Sequence, residues 1–322
     1  MGNIPESMKA MDRYSESIAL GDAPKKQVFD MMEIGDDWRK KTIMDMPVSL
    51  MLKIAGNLDP VERTALRSVN RALKDLADDF PPIFENIELA LDNNDDLSWR
   101  LNDRPRKYSG YEKLDKLTDL PGFKVKHLRL RCDNYRSTWN RNYPLEISLS
   151  PKSVDISANT TKEVIQLLSI AKPGDLESIR IWPVDDQHNF SSIFNTEQFQ
   201  LAKNVEVISL KGFHRQILSH FSHLKSFKVK ITGDFVEEGF EQIRDIISNF
   251  EEFETCQMGI VDLSNQFDIR NISKALEVDI PFGPLKTIIV HHRYEIPKTK
   301  KCLDFKIEQN EHRISVKIAK IC

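Results

Sequence analysis

Glycine and cysteine are both scarce, 12 and 4 in 322 residues. With only 15 prolines besides, the chain is neither collagenous nor linker-like. Cys132, Cys256, Cys302 and Cys322 stand 124, 46 and 20 residues apart, and no C-x-x-C occurs. That spacing is neither a disulfide framework nor a zinc site, so the thiols read as reduced and structural. No apolar run approaches the roughly 20 residues of a membrane span, so no membrane partner is expected. An excess of one charge is missing too: 46 Lys+Arg against 49 Asp+Glu leave a net −3, which excludes nucleic-acid binding driven by bulk charge. The first 20 residues have no apolar h-region, and Glu6 stands where a myristoylation pattern needs Ser or Thr. A cytoplasmic or nuclear protein is the expectation.

Catalytic signatures are absent as well. There is no P-loop, no G-x-G-x-x-G, no G-x-S-x-G and no H-E-x-x-H. His220-x-x-His223 could set two imidazoles on one helical turn, but the flanking residues supply no carboxylate or thiolate, and the two read as solvated. His291 and His292 read as strand neighbours that point to opposite faces. Asp185-Asp186 after Pro183 reads as a turn, and the run Lys298-Thr-Lys-Lys301 as a solvated loop. No metal and no cofactor is expected.

What is present is a packed core's worth of apolar residues, 40% of the chain, over a length that suggests two domains at about 150 residues each. Residues 1–41 are polar, with weak helical character over 25–41. A sharper unit follows. Met51, Ile54, Ala55 and Leu58 share one helical face. Asp59-Pro60-Val61-Glu62 then reads as a helix start: Asp59 as cap, Pro60 at the first position, and Glu62 closing a capping box. Leu66, Val69, Leu73, Leu76 and Phe80 continue at helical spacing until Pro81-Pro82. A helical unit of about 40 residues buries too little surface to be stable alone and needs a partner or a neighbour.

After a polar connection the pattern changes class. An apolar-x-x-apolar-x-apolar phrase starts at Val125, Pro151, Leu176, Val205, Leu224, Phe253 and Leu285, spaced by 26, 25, 29, 19, 29 and 32 residues. Helical stretches separate several copies: one opens at Thr160-x-x-Glu163, another at Asp234-x-x-Glu237 with Phe240, Ile243, Ile247 and Phe250 behind it. Alternating helical and strand periods imply βα units and a mainly parallel sheet of leucine-rich-repeat kind. Leu303–Ile307 and Ile314–Ile318 read as a terminal hairpin covering the sheet's open edge. The expected fold class is therefore α/β. A small all-helical unit over 42–89 is followed by a linker over 90–122, a βα repeat domain over 123–322 and a C-terminal β-hairpin.

The segment 42–80 resembles the F-box. Met46-Pro47, Leu50, Leu52, Ile54, Leu58-Asp59-Pro60, Arg63, Leu66, Val69, Asn70, Arg71 and Leu73 carry the resemblance in order and spacing. Met46 replaces the usual Leu and Asn70 the usual Cys. Downstream, LKSFKVKITGDFVEEGFEQIRDIISNFEEFET resembles the FTH domain of nematode F-box proteins. These resemblances imply a non-catalytic substrate receptor of a Skp–cullin–F-box ubiquitin ligase. The F-box would bind the Skp-type adaptor, and through it a cullin, while the C-terminal domain holds a target. Mapped on this chain, the adaptor contacts would be Pro47, Leu50, Leu52, Ile54, Leu58, Pro60 and Leu66. Leu50 and Leu52 fall off the stripe begun by Met51, as an apolar contact surface would. Two other readings stand beside this one: a repeat scaffold with a degenerate F-box, and an enzyme whose site is assembled from distant residues. Adaptor co-purification separates the receptor from the scaffold.

In each strand phrase, the residues between and just after the apolar positions point the other way. The two outward rows are Arg129, Asp155, Arg180, Ser209, Lys228, Gln257, Ile289 and Arg131, Ser157, Trp182, Lys211, Lys230, Gly259, His291. Six are basic and one acidic, against about two of each from average composition. This basic stripe suggests a face for an acidic or phosphorylated protein segment, with Arg129, Arg131 and Arg180 as forked donors and Trp182, Lys211, Lys228, Lys230 and His291 beside them. Nucleic acid is the weaker ligand, because a single aromatic is a poor stacking platform.

Overall fold

The computed structural model describes residues 42–91, 97–132, 147–182, 190–211, 215–232, 240–261, 276–278, 287–310 and 313–321. The weak helix read over 25–41, the capping pair Asp234/Glu237 and the turn at Asp185-Asp186 lie outside them. The chain divides into two compact units, Met1–Leu50 and Met51–Cys322.

In the first unit, a 3-10 turn Ile43–Asp45 is capped by Thr42, whose hydroxyl accepts from the Met44 N–H at 3.3 Å. Helix α1 (Val48–Asn57) follows, with Met51 and Ala55 buried. Helix α2 (Pro60–Arg67) begins as its sequence dictates: Asp59 accepts from the Glu62 N–H at 2.9 Å, and Glu62 accepts from the Asp59 N–H at 3.0 Å. The long stripe expected from Leu66 to Phe80 is broken in two. A turn at Ser68–Val69 ends α2 and leaves Val69 64% exposed, and α3 (Arg71–Asp78) starts afresh. Asn70 is the reason: its side chain accepts from the Leu73 N–H at 2.9 Å and so caps the new helix. Arg67 ties the two helices together by gripping the Asp78 carboxylate.

The segment expected to be a linker is part of the sheet. Strands β1 (Ile83–Leu91), β2 (Leu97–Leu101) and β3 (Tyr108–Ser109) are followed by α4 (Tyr111–Thr118). β1 pairs in parallel with β4 (Lys124–Cys132), and β2 turns back antiparallel on β1. Alternation decides this: Ile87, Leu89 and Leu91 are buried every second residue, a strand signal that the polar run after them obscured.

Beyond β4 come β5 (Ser153–Ser157), α5 (Thr161–Leu168), β6 (Ser178–Ile181), α6 (Ser191–Phe194), α7 (Glu197–Leu201), β7 (Asn204–Lys211), α8 (Arg215–Ser219), β8 (Ser226–Thr232), α9 (Phe240–Ser248) and β9 (Thr255–Val261). Strands β10 (Thr287–Glu295), β11 (Cys302–Asn310) and β12 (Arg313–Ile321) complete a sheet ordered β10-β11-β12-β9-β8-β7-β6-β5-β4-β1-β2-β3 among the described residues. From β1 through β4 to β9 every pairing is parallel, the βα repeat read from the sequence. The terminal hairpin β11–β12 does cover the edge of that parallel set, β12 lying antiparallel to β9.

Two of the seven phrases need correction. The Leu285 copy is not a repeat: β10 runs antiparallel to β11 at the far end of the sheet, separated from β9 by two strands. The fourth copy was framed three residues late. Val205 lies opposite Ile179 and Phe227, which are middle positions, so the phrase starts at Ala202 and reads Ala202-Lys-Asn-Val205-Glu-Val207. All three of its apolar residues are buried. With that frame the flanking spacings become 26 and 22 instead of 29 and 19. Backbone bonds confirm it, because Lys152, Glu177, Lys203 and Lys225 carbonyls each accept from the next repeat at 2.8–3.2 Å.

The side of the sheet that carries the helices is packed by aromatic rings from successive repeats. Phe194, Phe199, Phe221 and Phe227 lie 5.0–5.9 Å apart in sequence of contact. Glu163 is buried, yet its carboxylate accepts from the Asn159 and Thr160 N–H groups at 2.9 and 3.0 Å, so the capping box seen in the sequence also satisfies it.

Candidate functional site

Two surfaces stand out. The first is a set of exposed apolar residues in the N-terminal helices, taken unit by unit. In the first unit Ile43, Met44, Val48 and Leu50 are exposed, and Pro47 is exposed with them. In the second, Ile54 and Val69 are exposed, while Leu52, Leu58, Pro60 and Leu66 are half-buried. Ile54 was expected on the buried stripe with Met51 and Ala55; it sits at its margin and faces solvent.

The second surface is the sheet face opposite the buried apolar rows. It forms a groove of about 760 Å³ that runs across β1, β4 to β9 and β12. Its floor is built of rows, because parallel strands in register place equivalent residues side by side about 4.8 Å apart. One row is uncharged or weakly basic: Asn86, His127, Ser153, Ser178, Asn204, Ser226 and Thr255. Neighbours in it bond to one another, with Asn204 donating to Ser178 at 3.3 Å and accepting from the Ser226 hydroxyl at 2.6 Å.

The next row is Glu88, Arg129, Asp155, Arg180, Glu206, Lys228, Gln257 and Lys317. Its signs alternate from Glu88 to Lys228, so it is no simple basic stripe. The misplaced frame had put Ser209 where Glu206 belongs. Arg180 pairs with Glu206 at 2.6 Å and Asp155 at 4.0 Å, and Lys228 pairs with the same Glu206 at 2.8 Å. Arg129 is held by Asp103 at 2.6 Å, and Arg131 by Glu88 at 3.4 Å. Burial would raise the Glu206 carboxyl, but hydrogen bonds from Lys228 and Arg180 outweigh it and hold the group below its usual range.

The other expected residues divide. Trp182 is 41% exposed on the same face, and its indole N–H donates to Asp155. Lys230 is exposed one row further along β8. Lys211 leaves the row because the corrected frame puts Ile208 there; after a bulge between Val207 and Leu210, Lys211 lies opposite Thr232, and its side chain is outside the described residues. His291 changes rows, since β10 is antiparallel, and lies opposite Lys306. Its neighbour His292 turns inward against Phe305, where burial and the nearby Arg244 lower its pKa.

His220 and His223 are half-buried, not solvated. His220 stacks on Phe194 at 5.2 Å, and a ring nitrogen of His223 lies 2.9 Å from the Phe199 carbonyl. Sequence reasoning missed the acids that occupy the arginines. Asp103 and Glu88 sit in the stretch read as F-box and linker, and strand order alone brings them here.

Residues 43–85 match the F-box domain, and residues 136–279 match the FTH domain. This chain joins an F-box domain to an FTH domain. It is also similar to F-box A protein 224 of Caenorhabditis elegans, 22% identical over 264 residues. That match covers 68% of this chain and 66% of the relative, just under two thirds of its length. No solved structure matches. The FTH match covers the repeats from before β5 to past β9, so most of the groove belongs to it. F-box domains bind Skp-type adaptors, and the exposed apolar residues of both units lie within the F-box match.

Proposed function

We propose that this chain is the substrate-recognition subunit of a Skp–cullin–F-box ubiquitin ligase. The F-box domain holds the Skp-type adaptor, and through it a cullin. The sheet face of the C-terminal domain holds a target protein. The chain itself does no chemistry: it raises the local concentration of the target's lysines near a charged conjugating enzyme carried by other subunits. The observation that carries this reading is the pairing of an F-box domain with a repeat sheet that leaves one face open. Leu50 is exposed in the first unit, and in the second Ile54 is exposed and Leu58 and Leu66 half-buried, which suits apolar contacts with a partner.

The test is capture of a Skp-type adaptor. Leu58→Asp sets a charge in an apolar contact and should weaken capture by about a hundredfold or more. Pro47→Ala removes a contact without adding charge and should cost about tenfold at most. Circular dichroism must first show that the Leu58 variant is folded. Undiminished capture by a folded Leu58→Asp protein would refute the receptor reading and leave a repeat scaffold with a degenerate F-box.

A further inference from the structure

The charge on the open face is not spread evenly, and the imbalance narrows where a target could sit. Along β4 to β7 every described arginine on the face is matched: Arg129 by Asp103, Arg131 by Glu88, Arg180 by Glu206 and Asp155. The forked donors that would suit a foreign carboxylate are thus already engaged. Across the next three neighbours, β8, β9 and β12, the register reverses the situation. Their outward positions hold Lys228, Lys230, Arg313 and Lys317, and no carboxylate. Lys228 shares Glu206 with Arg180. Lys230 and Arg313 are exposed and make no ion pair among the described residues; Lys317 is exposed and makes none either, but it feels the Glu308 carboxylate of the neighbouring β11, which is itself bonded to Lys306.

The floor between these cations is low. β9 contributes Thr255, Gln257 and Gly259 to the face, and a Cβ built on Gly259 would meet nothing within 4 Å. Gly259 lies opposite Lys230 on one side and Ser315 on the other, so an open notch runs between the cations. Arg313 and Lys317 are four residues apart on β12, about 13 Å, and β8 and β12 are about 10 Å apart across β9. An extended peptide with acids at alternate positions presents a carboxylate about every 6.6 Å, so every second one matches the Arg313–Lys317 interval.

We propose that the target is held at β8, β9 and β12 through an extended Asp/Glu-rich segment, with Lys230, Lys317 and Arg313 as its counter-charges and Gly259 as the floor. This rests on the receptor reading and narrows it to β8, β9 and β12, where Lys317 lines the groove and Lys230, Gly259 and Arg313 lie beside it, and to one class of target.

The test uses the full chain bound to its adaptor and a fluorescein-labelled peptide alternating Glu and Ser, with a Gln-for-Glu version as control. Anisotropy should show binding of the Glu peptide alone, weakening as salt rises. Lys230→Glu with Lys317→Glu should reduce it by about tenfold or more, whereas Arg129→Glu with Arg131→Glu should reduce it by less than about threefold. Gly259→Phe, which fills the notch without changing charge, should also weaken it. Failure of the wild type to bind, or equal loss from both double variants, would overturn the proposal. So would binding only of a phosphoserine version, or tighter binding of oligo(dT). Adaptor capture is read in the same samples: captured adaptor without peptide binding condemns this surface alone, and lost capture in the wild type condemns the receptor reading.

Discussion

Strands β4 to β7 and strands β8, β9 and β12 bury the same kind of row on the helix side and differ on the side that faces water. Val125, Leu128 and Leu130 in β4 have their counterparts in Phe253, Cys256 and Met258 at β9. On the open side, the first set alternates cation and anion and closes on itself, while the second carries cations with almost no partners. Burial constrains the inner residue at each position to be apolar and of a size that fits. Nothing comparable constrains the outer residue, so the outer rows are where two ends of one repeating sheet can diverge.

Glu206 is the hinge of that comparison, since it neutralises Arg180 on one side and Lys228 on the other. Glu206→Lys should therefore have the largest effect. It sets three cations in adjacent strands and leaves a half-buried site without its acceptor, at a cost of about 1–3 kcal/mol. The denaturation midpoint should fall, and acidic-peptide binding should extend toward β6. A variant as stable as the wild type would show that the ladder is decorative.

Glu206→Gln is milder and pH-dependent. The folded carboxyl is held below its ordinary value, so its contribution is present above the unfolded glutamate pKa, about 4.3, and is lost as pH falls through the lower folded value. The wild type should exceed the variant by at most about 1 kcal/mol at neutral pH, because the ion pairs are partly in water. That gap should close as pH falls below about 4. A gap that persists in acid would mean that the hydrogen bonds, not the charge, hold the row.

Arg129→Ala should have the smallest effect. Arg129 and Asp103 are both about half exposed, so chemical denaturation should detect less than about 1 kcal/mol, and added salt should erase it. A larger loss would make this pair a structural clamp and blur the contrast with the other end.

Much of the architecture was legible in the residues. Asp59-Pro60-x-Glu62 and Thr160-x-x-Glu163 open helices where they were expected to. All seven strand phrases fall on strands, six of them in the parallel set, and the terminal hairpin pairs as its alternation indicated. These are local properties: a cap needs a donor three residues away, and a half-buried strand needs period 2, so a short window contains the whole signal.

Other features had no local signal. Asn70 broke one helix into two because its side chain competes for the Leu73 N–H, a choice that apolar spacing could not reveal. The frame starting at Val205 fits the apolar pattern by itself, and only pairing with β6 and β8 moves it to Ala202 and with it fixes the sign at Glu206. β10 carried a repeat's pattern and joined the sheet in the opposite direction. The counter-ions of Arg129, Arg131 and Arg180 come from residues 26, 43 and 26 positions away. The sequence by itself thus determined which residues turn inward and where helices start, because burial and capping act within a few residues. The tertiary structure decided which charges meet, because Coulomb interaction depends on which strands lie about 5 Å apart, and strand order is not written in any one strand.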